Sequence, residues 1–214
     1  MAARIGLAVS MAPGIGAMEW LCDWRMLTSE PDGDLHVFGY GSLIWRPGFA
    51  HAGAELGVLR GYHRSFCLRS TRYRGTVAKP GLVLGLDRGG ACRGMVFHVE
   101  AARAAEVLAY LDDRELPDGA EIVYRRRLVD VRLAASGRVV KAVTYIANRA
   151  CRNYCGRLAS AEAAAVIAAG HGAMGSNRDY LLNTVEHLRA VGVRDRGLER
   201  IAGLMPQLPV VAPA

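Results

Sequence analysis

The sequence predicts an α+β fold, a small curved sheet or barrel with helices packed outside it. Three observations carry that expectation. About six strand-like segments occupy the first two-thirds of the chain, one helical pattern is inserted among them, and the last third is helical. Strands therefore do not alternate with helices as a doubly wound sheet requires. The composition, 51% hydrophobic and 22% charged over 214 residues, is that of a globular chain. A chain of this length buries about 70% of its unfolded surface and needs no staple to hold a core.

Taken in order, residues 1–34 read as an N-terminal extension. Arg4 followed by Ile5 to Val9 has the outline of a weak signal peptide, but Pro13, Gly14 and Gly16 break the apolar run early. A floppy extension, or a start codon placed ahead of the true one at Met18 or Met26, is the plainer reading. Glu19 to Leu27 can form a short helix with Trp20, Trp24 and Leu27 on one face, and Pro31, Asp32 and Gly33 then break it.

From Leu35 a single domain to residue 205 is expected. Leu35–Gly39 reads as a strand ending in the loop Gly39-Tyr40-Gly41-Ser42, and Gly57–Ser70 as a strand or hairpin. Gly81–Leu86 and Cys92–Val99 read as two strands joined by a turn at Asp87–Gly90. Ala101–Glu115 is a helix by the spacing of Ala105, Leu108 and Leu111, widened by Val107 and Tyr110, and Leu116-Pro117-Asp118-Gly119 stops it. Val123–Leu133 and Val139–Ala147 are strands about the turn at Ser136-Gly137. Ala161–Ala169 is helical by propensity. Ser176 with Asp179 resembles a capping box opening a helix over 177–191 that Gly192 ends. Leu198–Met205 adds a turn or two, and 206–214 is a frayed tail.

Charge and cysteine usage narrow the function classes. Lys plus Arg is 27 against 20 Asp plus Glu, a net charge of +7, which favours anionic partners without choosing among nucleic acid, lipid and a small acidic substrate. The cysteines (22, 67, 92, 151 and 155) are odd in number and scattered, which points to a reducing compartment, the cytoplasm, and not to a secreted disulfide framework. No apolar run is long enough for a transmembrane helix. The histidines show no zincin spacing, and Cys151 with Cys155 has no second pair, so no metal site is expected.

Three stretches can carry chemistry. In Gly39-Tyr40-Gly41-Ser42-Leu43-Ile44-Trp45, two glycines at a strand end permit a sharp turn and close backbone approach, and the amides of such a turn can converge on a carboxylate or an oxyanion. A plain hairpin turn accounts for the same residues. Asp112-Asp113-Arg114-Glu115 places carboxylates against the negative end of a helix, which raises a carboxyl pKa toward the range of a general base, or else forms a solvated acidic helix end. Arg60 to Lys79 carries six basic residues and no acid, with Tyr62, Phe66 and Tyr73 among them. It reads as a solvated strand face, a small-anion site or a nucleic-acid surface.

The stretch Val37 to Trp45, together with Tyr110 to Glu115, resembles the ChaC-type γ-glutamylcyclotransferase family. Ser70 to Thr76, Lys79-Pro80-Gly81, Cys92-Arg93-Gly94, Tyr145-Ile146-Ala147, Asn153 to Gly156 and Gly175 to Leu181 resemble it too, so the likeness runs from about Val37 to about Arg200. It implies a γ-glutamylcyclotransferase-like fold, a small mixed barrel flanked by helices. The implied reaction converts glutathione to 5-oxo-L-proline and cysteinylglycine without any cofactor. Glu115 would be the general acid and base, the Tyr40, Gly41, Ser42 and Leu43 segment would hold the substrate, and Ser70, Arg72 and Tyr145 would make further pocket contacts. The acidic neighbour Asp113 is expected to raise the Glu115 pKa slightly. The resemblance implies a small-molecule partner, with neither nucleic acid nor membrane. Cyclotransfer on other γ-glutamyl amino acids or amines, and a non-catalytic binding or regulatory role, are the alternatives.

Overall fold

The computed structural model describes residues 33–116 and 122–205. Strand β1 (Leu35–Gly39) is buried at all five positions, as a strand paired on both sides and covered on both faces must be. It pairs antiparallel with the end of β3 (Gly81–Val99), Leu35 opposite Val99 and Gly39 opposite Met95. On its other side it pairs parallel with β5 (Val139–Ala147), His36 opposite Ala142. With β2 (Gly53–Ser70) and β4 (Tyr124–Leu133) the five strands close into a barrel in the order β1-β3-β2-β4-β5. Closure removes the sheet edges that an open sheet of this size would expose.

The expected turn at Asp87–Gly90 does not exist. Gly81–Val99 is one strand of 19 residues whose partner throughout is β2. Ala91 pairs with Arg60 and Arg88 with Tyr62, so Gly61 on one strand faces Gly89 and Gly90 on the other. All three have positive φ, at 85°, 99° and 71°. A glycine pair that can reverse a chain can equally form a bulge that bends a continuing ribbon. The bend lets the two halves of β3 serve different parts of the wall. Leu86 pairs with Ile146 of β5, and the segment from Met95 to Val99 lies beside β1.

Helix α1 (Ala101–Glu115) runs over the expected residues, but its buried stripe is Ala104, Val107, Leu108 and Leu111. Ala105 is exposed and Tyr110 is 37% exposed. The i, i+3, i+4, i+7 face starts at Ala104, and Ala105 lies about 100° around the helix from it. That stripe packs against Leu35, Val37, Phe97 and Val143, whereas Phe38 on the opposite face of β1 joins a second cluster. The second cluster is covered by α2 (Ser160–Ala169), α3 (Asn177–Ala190) and α4 (Arg196–Gly203) through Ile167, Leu181, Leu188 and Leu198. Strand alternation thus sends α1 and the C-terminal helices to different faces of the barrel wall.

The Ser176 cap forms as expected, its Oγ accepting the Asp179 amide at 3.0 Å, and Gly192 (φ 72°) follows the end of α3. A short hairpin, β6 (His171–Gly172) with β7 (Gly175–Ser176), precedes α3 and has no counterpart in the sequence reading. The expected helix at Glu19–Leu27, the stop at Pro117–Gly119 and the tail 206–214 lie outside the described residues.

Asn177, fully buried, ties α3 to the barrel. Its Oδ1 accepts from the Leu82 amide at 2.6 Å and its Nδ2 donates to the Leu82 carbonyl at 2.7 Å. A side-chain amide thereby replaces a neighbouring strand. Asn177→Ala leaves a backbone donor and acceptor unpaired in the core, and urea unfolding is expected to show a loss of about 2–4 kcal/mol.

Candidate active site

The turn after β1 is set by two glycines with different duties. A Cβ at Gly39 would lie 3.0 Å from Leu43 Cβ and 3.1 Å from the Phe97 ring, so its absence lets Leu43 fold back onto the strand. A Cβ at Gly41 would sit 3.7 Å from the Tyr180 hydroxyl and from Leu84 Cδ1, in ordinary contact but inside the space those groups surround. Ser42–Ile44 then forms one 3-10 turn, with the Ile44 amide donating to the Gly41 carbonyl at 2.9 Å. The amides of Ser42 and Leu43 precede that first bond, the position at which helical amides are left for another acceptor.

This turn forms one wall of a cavity. Glu115, the last residue of α1, lines it together with Tyr124 of β4, Tyr145 of β5 and Tyr180 of α3. Glu115 is held at the rim by Arg114, whose Nε lies 3.2 Å from Glu115 Oε1. The same guanidinium donates to Ser42 Oγ at 2.8 Å and to the Arg46 carbonyl at 3.0 Å, so one cation spans the helix end and the turn. The Glu115 side chain keeps 19% of its exposure, enough for a small molecule to reach it. Burial raises its pKa above the ordinary 4.5, and Arg114 works in the opposite direction. Asp113 is exposed, and the shift is set by burial against Arg114.

The tyrosines are kept protonated. Burial and the charge of Glu115 push Tyr40 and Tyr124 well above the normal phenol range, and burial pushes Tyr180 up to about 12. The hydroxyls of Tyr40 and Tyr124 are spent on backbone carbonyls of the wall. Tyr40 donates to the Tyr145 carbonyl at 2.9 Å, Tyr124 to the Leu84 carbonyl at 2.7 Å, and Thr144 Oγ1 to the Phe38 carbonyl at 2.9 Å. Tyr145 donates to Asp112 Oδ1 at 2.7 Å, and the other oxygen of Asp112 is paired with Arg126. Asp112 sits one turn before Glu115, so β4 and β5 both anchor the helix end that presents the carboxylate.

The family profile for ChaC-like protein matches residues 35–207. The chain belongs to the ChaC-like family. A glutathione-specific gamma-glutamylcyclotransferase of Escherichia coli (strain K12) is 34% identical over 174 residues, which span 80% of this chain and 73% of that protein. Glutathione-specific gamma-glutamylcyclotransferase 1 of Homo sapiens is 31% identical over 191 residues, spanning 85% and 83%. A yeast crystal structure of a glutathione-specific γ-glutamyl cyclotransferase superposes with a TM-score of 0.68 at 25% identity, covering 80% of this chain and 97% of that one.

In this ChaC-like chain the fold brings Tyr40, Gly41, Ser42, Leu43, Glu115 and Tyr145 to one cavity. Ser70 and Arg72 are not among its lining. Ser70 Oγ accepts the Arg74 amide at 3.0 Å, and Arg72 is exposed with its guanidinium 5.5 Å from the Tyr73 ring. Phe38, Leu84, Tyr124, Thr144 and Tyr180 line the cavity without having been singled out from the sequence. Tyr180 lay within the Gly175 to Leu181 motif. Phe38 lay within the Val37 to Trp45 motif, whereas Leu84, Tyr124 and Thr144 belonged only to expected strands. The basic stretch Arg60 to Lys79 is dispersed: Arg64 is buried, Arg74 stacks at 4.9 Å on the Tyr180 ring, and Arg60, Arg69, Arg72 and Lys79 are exposed.

Two outcomes follow from this geometry. Arg114→Gln removes the group that opposes desolvation, so the Glu115 carboxyl is expected to titrate at higher pH in a ¹³C-detected NMR titration. Gly41→Ala places a methyl in the cavity without a clash, so the melting temperature is expected to hold while ligand occupancy of the cavity, read by calorimetry, falls by about tenfold or more.

Proposed function

We propose that this chain is a glutathione-specific γ-glutamylcyclotransferase, with Glu115 as general acid and base. The observation that carries the reading is a desolvated glutamate lining the same small cavity as a Gly-Ser-Leu turn. The names of the relatives supply the substrate class. A cytoplasmic location belongs to the same proposal, supported by Cys67 and Cys92, which are buried thiols and not a disulfide.

The substrate's α-amine must lose a proton before it attacks its own γ-carbonyl. A carboxylate with a raised pKa removes that proton more readily than an ordinary one at neutral pH. The amine nitrogen bonds to the γ-carbon, and the ring has five members, so the substrate itself supplies proximity. The amides of the Tyr40 to Leu43 segment hold the α-carboxylate or the oxyanion that forms. The bond from the γ-carbon to the cysteinyl nitrogen then breaks, and Glu115 returns the proton to that nitrogen. The products are 5-oxo-L-proline and cysteinylglycine, and no water is consumed. The apolar and phenolic lining, Phe38, Leu84, Tyr124 and Tyr180, excludes the water that would yield glutamate instead.

Incubation of the purified chain with glutathione, followed by mass spectrometry, is expected to show both products in equal amounts. Free glutamate in place of 5-oxoproline would overturn the mechanism. Glu115→Gln is expected to lower kcat by at least about a hundredfold. The same change is expected to raise the melting temperature at neutral pH. A carboxyl whose folded pKa exceeds its unfolded one weakens the fold above the unfolded pKa, and the amide carries no such cost. The kcat/KM profile of the wild type should fall on the acid side with an apparent pKa above 4.5, in the direction set by burial.

A further inference from the structure

A second cavity of about 450 Å³ lies away from Glu115, between the bend of the β2–β3 ribbon and the starts of α2 and α4. Five arginines line it, Arg93, Arg157, Arg194, Arg196 and the buried Arg64, with His63 beside them. Its one lining carboxylate, Asp195, is fully engaged. Oδ2 accepts from Arg64 at 2.9 Å, and Oδ1 accepts from the Gly197 and Leu198 amides at 3.1 Å each, capping α4. Arg194 is paired with Glu199 at 3.0 Å. Arg93, Arg157 and Arg196 are exposed, and none of them has an ion-pair partner among the described residues. Three guanidinium groups without counter-charge around a concave space match an anion of two or more charges, and the planar fork of arginine favours phosphate oxygens. A cavity of this size suits a compact ligand, whereas a nucleic-acid strand requires a track of bases and backbone.

Arg64 connects this cavity to the substrate turn. Its guanidinium donates through Nε to the Tyr40 carbonyl, through Nη2 to the Arg93 carbonyl at 2.7 Å, and through Nη1 to Asp195. Its side chain is 2% exposed. A ligand held by Arg93 and by the start of α4 therefore loads two of the three acceptors that fix this guanidinium. The third acceptor is the residue from which the Gly41–Leu43 turn departs.

We propose that this cavity binds a small phosphorylated anion, and that Arg64 transmits its occupancy to the Tyr40 carbonyl. The probe is inorganic pyrophosphate, titrated into the ¹⁵N-labelled full chain at constant ionic strength maintained with potassium chloride. The amides of Arg93, Arg157, Arg196 and Gly197 are expected to shift along one saturable curve, with those of Tyr40 and Gly41 following it. The double variant Arg157→Gln, Arg196→Gln is expected to weaken that curve by about tenfold or more, with glutathione turnover in the absence of pyrophosphate unchanged. Adenosine triphosphate saturating the same amides also supports the site and shows that a nucleoside is accommodated. Shifts that do not saturate, that survive in the double variant, or that chloride alone reproduces overturn the proposal. Saturation without movement at Tyr40 and Gly41 overturns the link through Arg64. A short single-stranded RNA that saturates these amides where pyrophosphate does not overturns the assignment to a small anion. The amide-shift readouts, which decide the proposal, do not depend on the activity proposed for Glu115; only the turnover control does.

Discussion

The charge of Glu115, drawn out of water at the end of a helix, is the constraint around which the cavity is arranged. A carboxylate left in apolar surroundings becomes neutral. Here one cation opposes that tendency, and the same cation reaches across to Ser42. Arg114 therefore couples the ionisation of the glutamate to the position of the turn that faces it. Around them the phenols of Tyr40, Tyr124 and Tyr180 remain protonated, partly because Glu115 is charged. The lining thus sets one carboxyl group, raised by burial, among phenols that burial keeps protonated.

Holding that arrangement falls to groups outside the cavity. Asp112 receives Tyr145 and Arg126, which fastens the C-terminal turn of α1 to two neighbouring strands. Arg64 receives its order from the start of α4 and passes it to the Tyr40 carbonyl. Asn177 fastens α3, and with it Tyr180, to β3. Each is a polar group spanning elements far apart in sequence, and each has its partners supplied. Buried polar groups that are fully satisfied specify one packing, because the alternatives leave a donor or a charge unpaired.

The barrel supplies the geometry. With β1 buried on both faces and paired on both sides, its C-terminal end is held where the turn begins. Groups held on such a frame need little ordering when a ligand arrives, which is the physical content of preorganisation. Desolvating Glu115 opposes folding, and the two hydrophobic clusters on either face of β1 offset it.

Much of this was legible in the residues themselves. The extents of α1 and β5, the Ser176 cap and the glycine end of α3 follow from local periodicity and local chemistry, which the chain carries wherever it folds. The two-glycine turn and the acidic helix end were visible as well, although neither could be told locally from a hairpin turn or a solvated terminus. Tertiary structure decided what depends on partners distant in sequence. Gly89 and Gly90 bend one strand instead of ending it, because β2 continues on both sides of them. Ala104, not Ala105, faces the core, because the barrel wall selects the stripe. Glu115 is shifted chiefly by burial, because desolvation is set by what packs against a residue and not by its neighbours in sequence. Tyr124, Thr144 and Tyr180 reach the cavity by strand closure and helix docking, and Arg72 remains outside it. Local propensity and motif spacing are properties of a stretch of sequence. Burial, and with it the pKa and the reach of a side chain, belongs to the closed barrel.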